Sequence, residues 1–293
     1  MSLAIRLEGV RRSFGKKEVL RGVTARAETG KVIGLLGRNG EGKSTLFKIL
    51  LDLLEPDAGA VEVLGAPLDG TGAIRSRIGY VPERPAFHEF LSFGEVLSWR
   101  ARFFPSWDRS RAESLAARLG LEDSIPVRGA SKGQLAKLAW VCAAAHEPDL
   151  LLLDEPTSGL DALVRDEVLQ ELVGELHDGG KTILIANHRM EELAGVLDEV
   201  WVLRKGEIRG VVDVPRLRAE ACKVTARLRD WSARPQVRGA TPIPAERPLA
   251  AWAAFSREAV EALAASGALD AVERAPLALD EALKAMLLEE PGA

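Results

Sequence analysis

Apolar and polar positions alternate along residues 3–36 in the runs AIRLEGV, EVLRGVTA and KVIGLL, separated by FGKK and ETGK. A period of two bounded by turn residues predicts an antiparallel β subdomain built from strands and hairpins. Helical periodicity begins only after Lys43, and strand-like and helix-like segments then take turns. DLLLLDEP precedes ALVRDEVLQELVGEL, and KTILIAN precedes RMEELAGVL. This alternation predicts an α/β fold with a mostly parallel sheet covered on both faces. The helical patterns SFGEVLSWRARFF, DRSRAESLAARLG and KGQLAKLAWVCAAA interrupt it, so a helical insertion is expected over about 84–145. After EVWVLRKGEIRGVV the composition shifts near Asp213. Scattered prolines follow, then two helix-like segments, SREAVEALAAS and LDEALKAMLLEE. The expected division is a main domain over 1–212 and a small α/β accessory domain over 213–293.

Composition narrows the function classes. At 293 residues, 47% hydrophobic and 28% charged, the chain is ordinary for a globular protein and not for a disordered one. A net charge of -4 gives no general electrostatic reason to expect nucleic acid as a partner. Residues 216–238 are the local exception, with seven Arg or Lys against two acids, a pattern read first as a solvated, ion-paired face. No run approaches the roughly 20 apolar residues of a membrane span, and MSLAIRLEGVRRSFG lacks a signal-peptide core, so a cytosolic location is expected. Cys142 and Cys222 fall in no metal or redox spacing and are read as free thiols.

The chemistry concentrates in two stretches. GRNGEGKST, Gly37 to Thr45, follows the apolar run VIGLL and opens a helix, matching G-x-x-x-x-G-K-[ST] in the context that pattern requires. Glycines let backbone N–H groups turn around phosphate oxygens, the helix amino terminus adds partial positive charge, and Lys43 reaches the terminal phosphates. Ser44 can offer its hydroxyl to Mg²⁺. LLLLDEPTSGLD, Leu150 to Asp161, is the second stretch. Four leucines predict a strand buried on both faces, which puts Asp154 at the carboxyl edge of the sheet, where ligands of such folds bind. Asp154 suits Mg²⁺, directly or through water. Glu155 could accept a proton from a water attacking the γ-phosphate, or orient and polarise that water.

With these motifs the chain resembles a nucleotide-binding subunit of the ATP-binding cassette superfamily, a P-loop ATPase. The resemblance covers residues 3–212 and rests on the aromatic in RRSFG, GRNGEGKST, IGYVPE, ASKGQ, LLLLDEP, SGLD and the histidine of ANHRM, in that order. It implies that Phe14 stacks on adenine and that Gly37, Arg38, Asn39, Gly40, Glu41, Gly42, Lys43, Ser44 and Thr45 bind ATP. It implies Glu155 and His188 as catalytic residues, and Ser44, Glu83 and Asp154 on the Mg²⁺ side. Ser131, Lys132, Gly133, Gln134 and Asp161 would bind ATP held by a second chain, so a homodimer is expected.

Two departures from the family pattern stand out. Glu83 occupies the usual glutamine position of IGYVPE, and a carboxylate there cannot donate a hydrogen bond unless protonated. Glu83 is read as a metal-side or coupling residue. In ASKGQ, Ala130 and Lys132 replace the Leu and first Gly of L-S-G-G-Q; Lys132 either favours closure of the dimer or faces solvent.

The resemblance further implies an ATP-driven motor for separately encoded transmembrane permease subunits, an exporter by its carboxyl-terminal segment, peripheral on the inner face of the cell membrane. Phe87, Phe90, Phe93 and Trp99 are candidate anchors for a permease helix. The alternatives are a soluble cassette ATPase acting on ribosomes or nucleic acid, and an ATP-gated regulatory module with little turnover.

Overall fold

A computed structural model describes residues 2–288 apart from 178–179, 188–192, 194, 231–234 and 246–248, and without the side chains of 172–173, 175–177 and 288. Along the chain, β1 (Leu3–Phe14), β2 (Lys17–Glu28) and β3 (Val32–Leu36) lead into α1 (Lys43–Leu50). β4 (Ala58–Val63), β5 (Ala66–Pro67) and β6 (Ile78–Val81) come next, followed by α2 (Phe93–Arg100), α3 (Arg109–Arg118) and α4 (Lys132–Ala144). Then come β7 (Leu150–Asp154), α5 (Ala162–His177), β8 (Thr182–Ala186), β9 (Glu199–Arg204), β10 (Glu207–Asp213) and α6 (Val214–Glu220). The chain continues with β11 (Cys222–Leu228), β12 (Ala240–Ile243), β13 (Leu249–Ala254), α7 (Arg257–Ala265), β14 (Leu269–Pro276) and α8 (Leu279–Leu288).

The central sheet has the order β10-β9-β3-β8-β7-β6. β9, β3, β8, β7 and β6 run parallel, and only β10 is antiparallel, on β9. Every residue of β3, β7 and β8 is buried. The four leucines of β7 divide between two cores: Leu151 and Leu153 pack with the helical insertion, Leu150 and Leu152 with α1 and the β1/β2 hairpin. A parallel strand covered on both faces needs apolar residues at consecutive positions, which is why this stretch shows no alternation. β8 lies between β3 and β7, so the segments leaving β3 and β7 open on the same edge, one strand apart. The antiparallel sheet β2-β1-β4-β5 packs beside them.

The tail forms a third sheet, β12-β13-β11-β14, with α7 on one face packing Val260 and Leu263 in one cluster with Val224 and Trp252. Its helix α8 turns back: Leu279, Ala282 and Leu283 join the same core cluster as Val200, Val202 and Leu217 of β9 and α6. Leu283 is 1% exposed. Truncating it is expected to cost about 2–5 kcal/mol through lost burial and a residual cavity. Leu283→Ala should therefore shift the main urea unfolding transition, and a change confined to a separate early transition would show that α8 does not share the main core.

Candidate functional site

The loop between β3 and α1 is shaped by two glycines with no room for a side chain. A Cβ at Gly37 would lie 2.9 Å from the Leu203 carbonyl oxygen; one at Gly42, whose φ is +110°, would lie 2.6 Å from Leu20 Cδ2. Gly42 is the helix cap and makes no side-chain capping bond. The first helical hydrogen bond runs from Leu46 N–H to Gly42 O at 2.8 Å. The N–H groups of Lys43, Ser44 and Thr45 thus belong to the orphan donors of a helix start, turned toward the loop. Glu41 braces the loop, accepting from Arg38 N–H at 3.0 Å and Lys205 N–H at 3.4 Å.

Lys43 is 7% exposed. Its ammonium donates to Gly37 O at 2.8 Å and lies 3.4 Å from Glu155 Oε1. Glu155 has a left-handed backbone, φ 52°, and donates its N–H to Ala186 O at 2.8 Å on β8. A non-glycine residue held in that region costs about 1–2 kcal/mol. The turn brings two successive carboxylates, Asp154 and Glu155, to one cleft instead of opposite faces of a strand.

Asp154 is 3% exposed. Its carboxyl is raised above the ordinary range, chiefly by burial and further by Glu155 and Glu83, while a hydrogen bond from the Ser44 hydroxyl and the Lys43 charge oppose the rise. The Tyr80 phenol is pushed up to about 12 by burial, with Asp154 and Glu83 adding to it. Both shifts come first from burial, and the neighbouring acids add to each. Among the described residues no three His, Cys, Asp or Glu side chains are arranged to hold a metal by themselves. The hydroxyl of Ser44 and the carboxylate of Asp154 fit a hard ion such as Mg²⁺, which takes few protein ligands and completes its shell with phosphate and water.

The cleft has a volume of about 820 Å³, and Phe14, Arg38, Asn39, Gly40, Thr45 and Glu83 share its lining with Gly42, Lys43, Ser44, Asp154 and Glu155. Phe14 is 49% exposed. The Arg12 guanidinium stands 5.2 Å from its ring centre and is fixed by Asp57 at 2.7 Å and Glu55 O at 3.0 Å. This brace, the cleft residues Lys17 and Ser158, and the buried pair Asn187 and Thr157, joined at 3.4 Å, are absent from the sequence expectations. Asn187 sits beside the ANHRM histidine, a signal that the sequence offered. His188 itself lies outside the described residues.

The remaining expected site residues stand apart from this cleft. Ser131 and Gln134 form a reciprocal cap at the start of α4: Gln134 N–H donates to Ser131 Oγ at 3.1 Å and Ser131 N–H to Gln134 Oε1 at 2.9 Å. Asp161 caps α5, accepting from Val164 N–H at 3.0 Å. A Cβ on Gly133 would meet Val164 Cγ1 at 3.1 Å, so glycine lets these two helix starts lie close together. Ser131 and Lys132 are exposed, and none of Ser131, Lys132, Gly133, Gln134 or Asp161 lines the Lys43 cleft. Of the proposed docking aromatics, Phe93 is 1% exposed and belongs to the core, whereas Phe90 is 81% and Trp99 43% exposed. Phe93 opens α2 directly after its cap, Ser92, with its ring turned into the insertion's core. In the basic stretch, Arg216 pairs with Glu220 at 3.0 Å and Arg229 with Asp270 at 2.8 Å.

Comparison with known proteins gives concordant matches. A family model described as ABC transporter matches residues 20–158. The chain is 30% identical over 220 residues to the ABC transporter ATP-binding protein YtrB of Bacillus subtilis, covering 75% of each chain. It is 37% identical over 210 residues to the Nod factor export ATP-binding protein I of Sinorhizobium fredii, covering 70% of this chain and 61% of that one. Among solved structures, an ATP binding subunit of an ABC transporter superposes with a TM-score of 0.66 at 27% identity, over 74% of this chain and 92% of that one. CbiO1 from Clostridium perfringens, part of the ABC transporter complex cbiONQ, superposes with a TM-score of 0.64 at 28% identity, over 75% and 92%.

A carboxyl raised in the fold makes its ionised form a liability above the unfolded value, about pH 3.9, and this cost vanishes below it. Asp154→Asn keeps an acceptor for Ser44 and removes that cost. At neutral pH it should raise the melting temperature. The gain should fade as pH falls below about 4. Thermal melts across pH check this; a neutral-pH loss of stability would contradict it.

Proposed function

The chain belongs to the family of ABC transporter ATP-binding proteins and is an ABC-type ATPase, and we propose that it is the motor of an export system, working as a pair of chains on separately encoded membrane subunits. The observation that carries this reading is the placement of Lys43. Its buried ammonium is held between a loop carbonyl and Glu155 within the cleft that also carries Ser44 and Asp154. A γ-phosphate entering the loop offers Lys43 a stronger partner than Gly37 O, because a hydrogen bond between two charged groups outweighs one to a neutral acceptor. Glu155 would then be free to orient and polarise a water in line with the phosphorus. Phe14, stiffened by Arg12, presents a flat apolar face for the adenine.

Ser44 and Asp154 would hold Mg²⁺, which when bound neutralises developing charge on the phosphate oxygens. Glu83 lines the same cleft from the segment after β6, joining the metal side to the helical insertion. The reciprocal cap at Ser131 and Gln134 leaves Ser131 and Lys132 exposed at the α4 helix start, outside the lining of its own chain's Lys43 cleft. That supports a second copy supplying it to each ATP. Export is supported by the relatives whose names carry that activity, and docking to membrane subunits by the aromatic cleft beside α2. Among the described residues no helix is long and apolar enough to cross a membrane.

Glu155→Gln tests the catalytic assignment. ATP hydrolysis should fall by about 10²–10⁴-fold, the usual worth of a general base, while nucleotide affinity is kept. An unchanged rate would remove Glu155 from the chemistry, and an inactive wild-type chain would turn the reading toward a regulatory module.

A further inference from the structure

The two departures from the family pattern, Glu83 and Lys132, meet at one place in the fold. A second cleft, of about 490 Å³, lies between the segment after β6, the start of α4 and the turn after β7. Leu135, Ala136 and Leu160 give it apolar walls. Among the described residues Glu83 is the only acid in its lining, and Lys132 and Arg84 are the only cations. Glu83 and Ser158 also line the Lys43 cleft, so the two spaces share a wall.

Neither charge is firmly matched. Glu83 meets its neighbour in sequence, Arg84, at 3.8 Å, and the Arg84 side chain is 91% exposed. An ion pair of that kind is worth little. The other lysine of α4, Lys137, is taken up by Glu167 and by Leu119 O at 3.0 Å. Lys132, at the first position of α4, is exposed and makes no hydrogen bond or ion pair among the described residues. Its ammonium rides on a flexible four-carbon stem that can sweep the cleft it lines. The glycine of the family pattern has nothing to send there.

Glu83 also carries a cost. It faces the same space as Asp154 and Glu155, and its charge is one of those that lift the Asp154 carboxyl. ATP is itself polyanionic, so a further carboxylate on the metal side opposes it by like-charge repulsion. A glutamine at this position adds no such charge. Lys132 lines the second cleft and not the first, so it can reach Glu83 without taking the place of a phosphate.

We propose that Lys132 is a positioning residue for Glu83 of the same chain: its ammonium turns into the second cleft, takes the Glu83 carboxylate and offsets a charge that otherwise opposes Mg-ATP. The two departures are then one exchange, a charged pair standing where the family pattern has a neutral glutamine and a glycine. The proposal rests on the reading of the Lys43 cleft as the ATP site with Glu83 on its metal side. It gives the Lys132 side chain a task within its own chain.

A double-mutant cycle on the full chain tests the pair, read as KM for Mg-ATP and as Kd for the Mg complex of a non-hydrolysable ATP analogue. Lys132→Ala keeps a good helix former at the start of α4 and should raise both constants by at least about twofold, the lower end of coupling within an ion pair, with its melting temperature kept. Lys132→Arg should hold them at the wild-type level. In a Glu83→Gln chain the same Lys132→Ala step should lose its effect, because no charge is left to offset. Carbodiimide treatment of the wild-type chain should form an amide between Lys132 and Glu83, read by peptide mass mapping. In a mixture of isotopically light and heavy chains, that linked peptide should carry one label only.

An equal rise for Lys132→Ala with Glu83 or Gln at position 83 would overturn the pair and give the lysine to the nucleotide of a second chain. Unchanged Mg-ATP affinity in Lys132→Ala would overturn the charge offset. No Lys132–Glu83 peptide, or one that mixes the labels, would overturn the contact within one chain. A wild-type chain that neither binds nor hydrolyses ATP would overturn the reading of the Lys43 cleft itself, a result distinct from the other three.

Discussion

A lysine ammonium kept at 7% exposure must be matched wherever it goes, and in this fold Lys43 is matched by Gly37 O at 2.8 Å and Glu155 at 3.4 Å. Burying a cation without such partners is prohibitive, so three separate elements are tied to one point. The loop after β3 must curl back to offer its carbonyl. β7 must end one strand away, with β8 between, so that Glu155 arrives at the right height. The left-handed turn at Glu155 must then be held, which the hydrogen bond to Ala186 does. Strain at this position and acid crowding at Asp154 are local costs, offset by two fully packed cores on either side of the sheet.

Much of this was legible because the constraints are local. The loop glycines and the four consecutive leucines each follow from chemistry that acts over a few residues. What escaped depends on distant contacts. The left-handed Glu155 is imposed by β8, and the Arg12 brace needs Asp57, which approaches only after β4 pairs with β1. Phe93 looked like a surface anchor beside Phe90, yet the turn of α2 sends it inward. In the tail the two helices showed their period, whereas the strands did not. β13 is LAAWAA, β12 carries Pro242 on a sheet edge, and β14 is an exposed edge rich in charge. Small residues and edge positions carry no alternating pattern to read.

The arrangement separates two helix starts with different surroundings. The start of α1 faces a cleft that contains its acids, and the start of α4 is satisfied by its own cap and faces outward. The close contact of Gly133 with Val164 sets the second beside the start of α5 and its cap Asp161. Adjoining helix starts suit a surface that meets another molecule, and in the proposed reading ATP held between two such surfaces would favour the closed pair by differential affinity.

The most direct measurement of a site shared between chains is turnover in a mixture of two disabled variants. A Lys43→Ala chain lacks the phosphate loop's cation, and a Ser131→Arg chain lacks the outward helix start; each alone should be inactive. Mixed pairs carry one site built from the intact loop of one chain and the intact α4 start of the other. ATP hydrolysis that reappears on mixing is the expected result. Mixtures as inactive as their components, although wild-type subunits exchange freely under the same conditions, would contradict a site completed by a second chain.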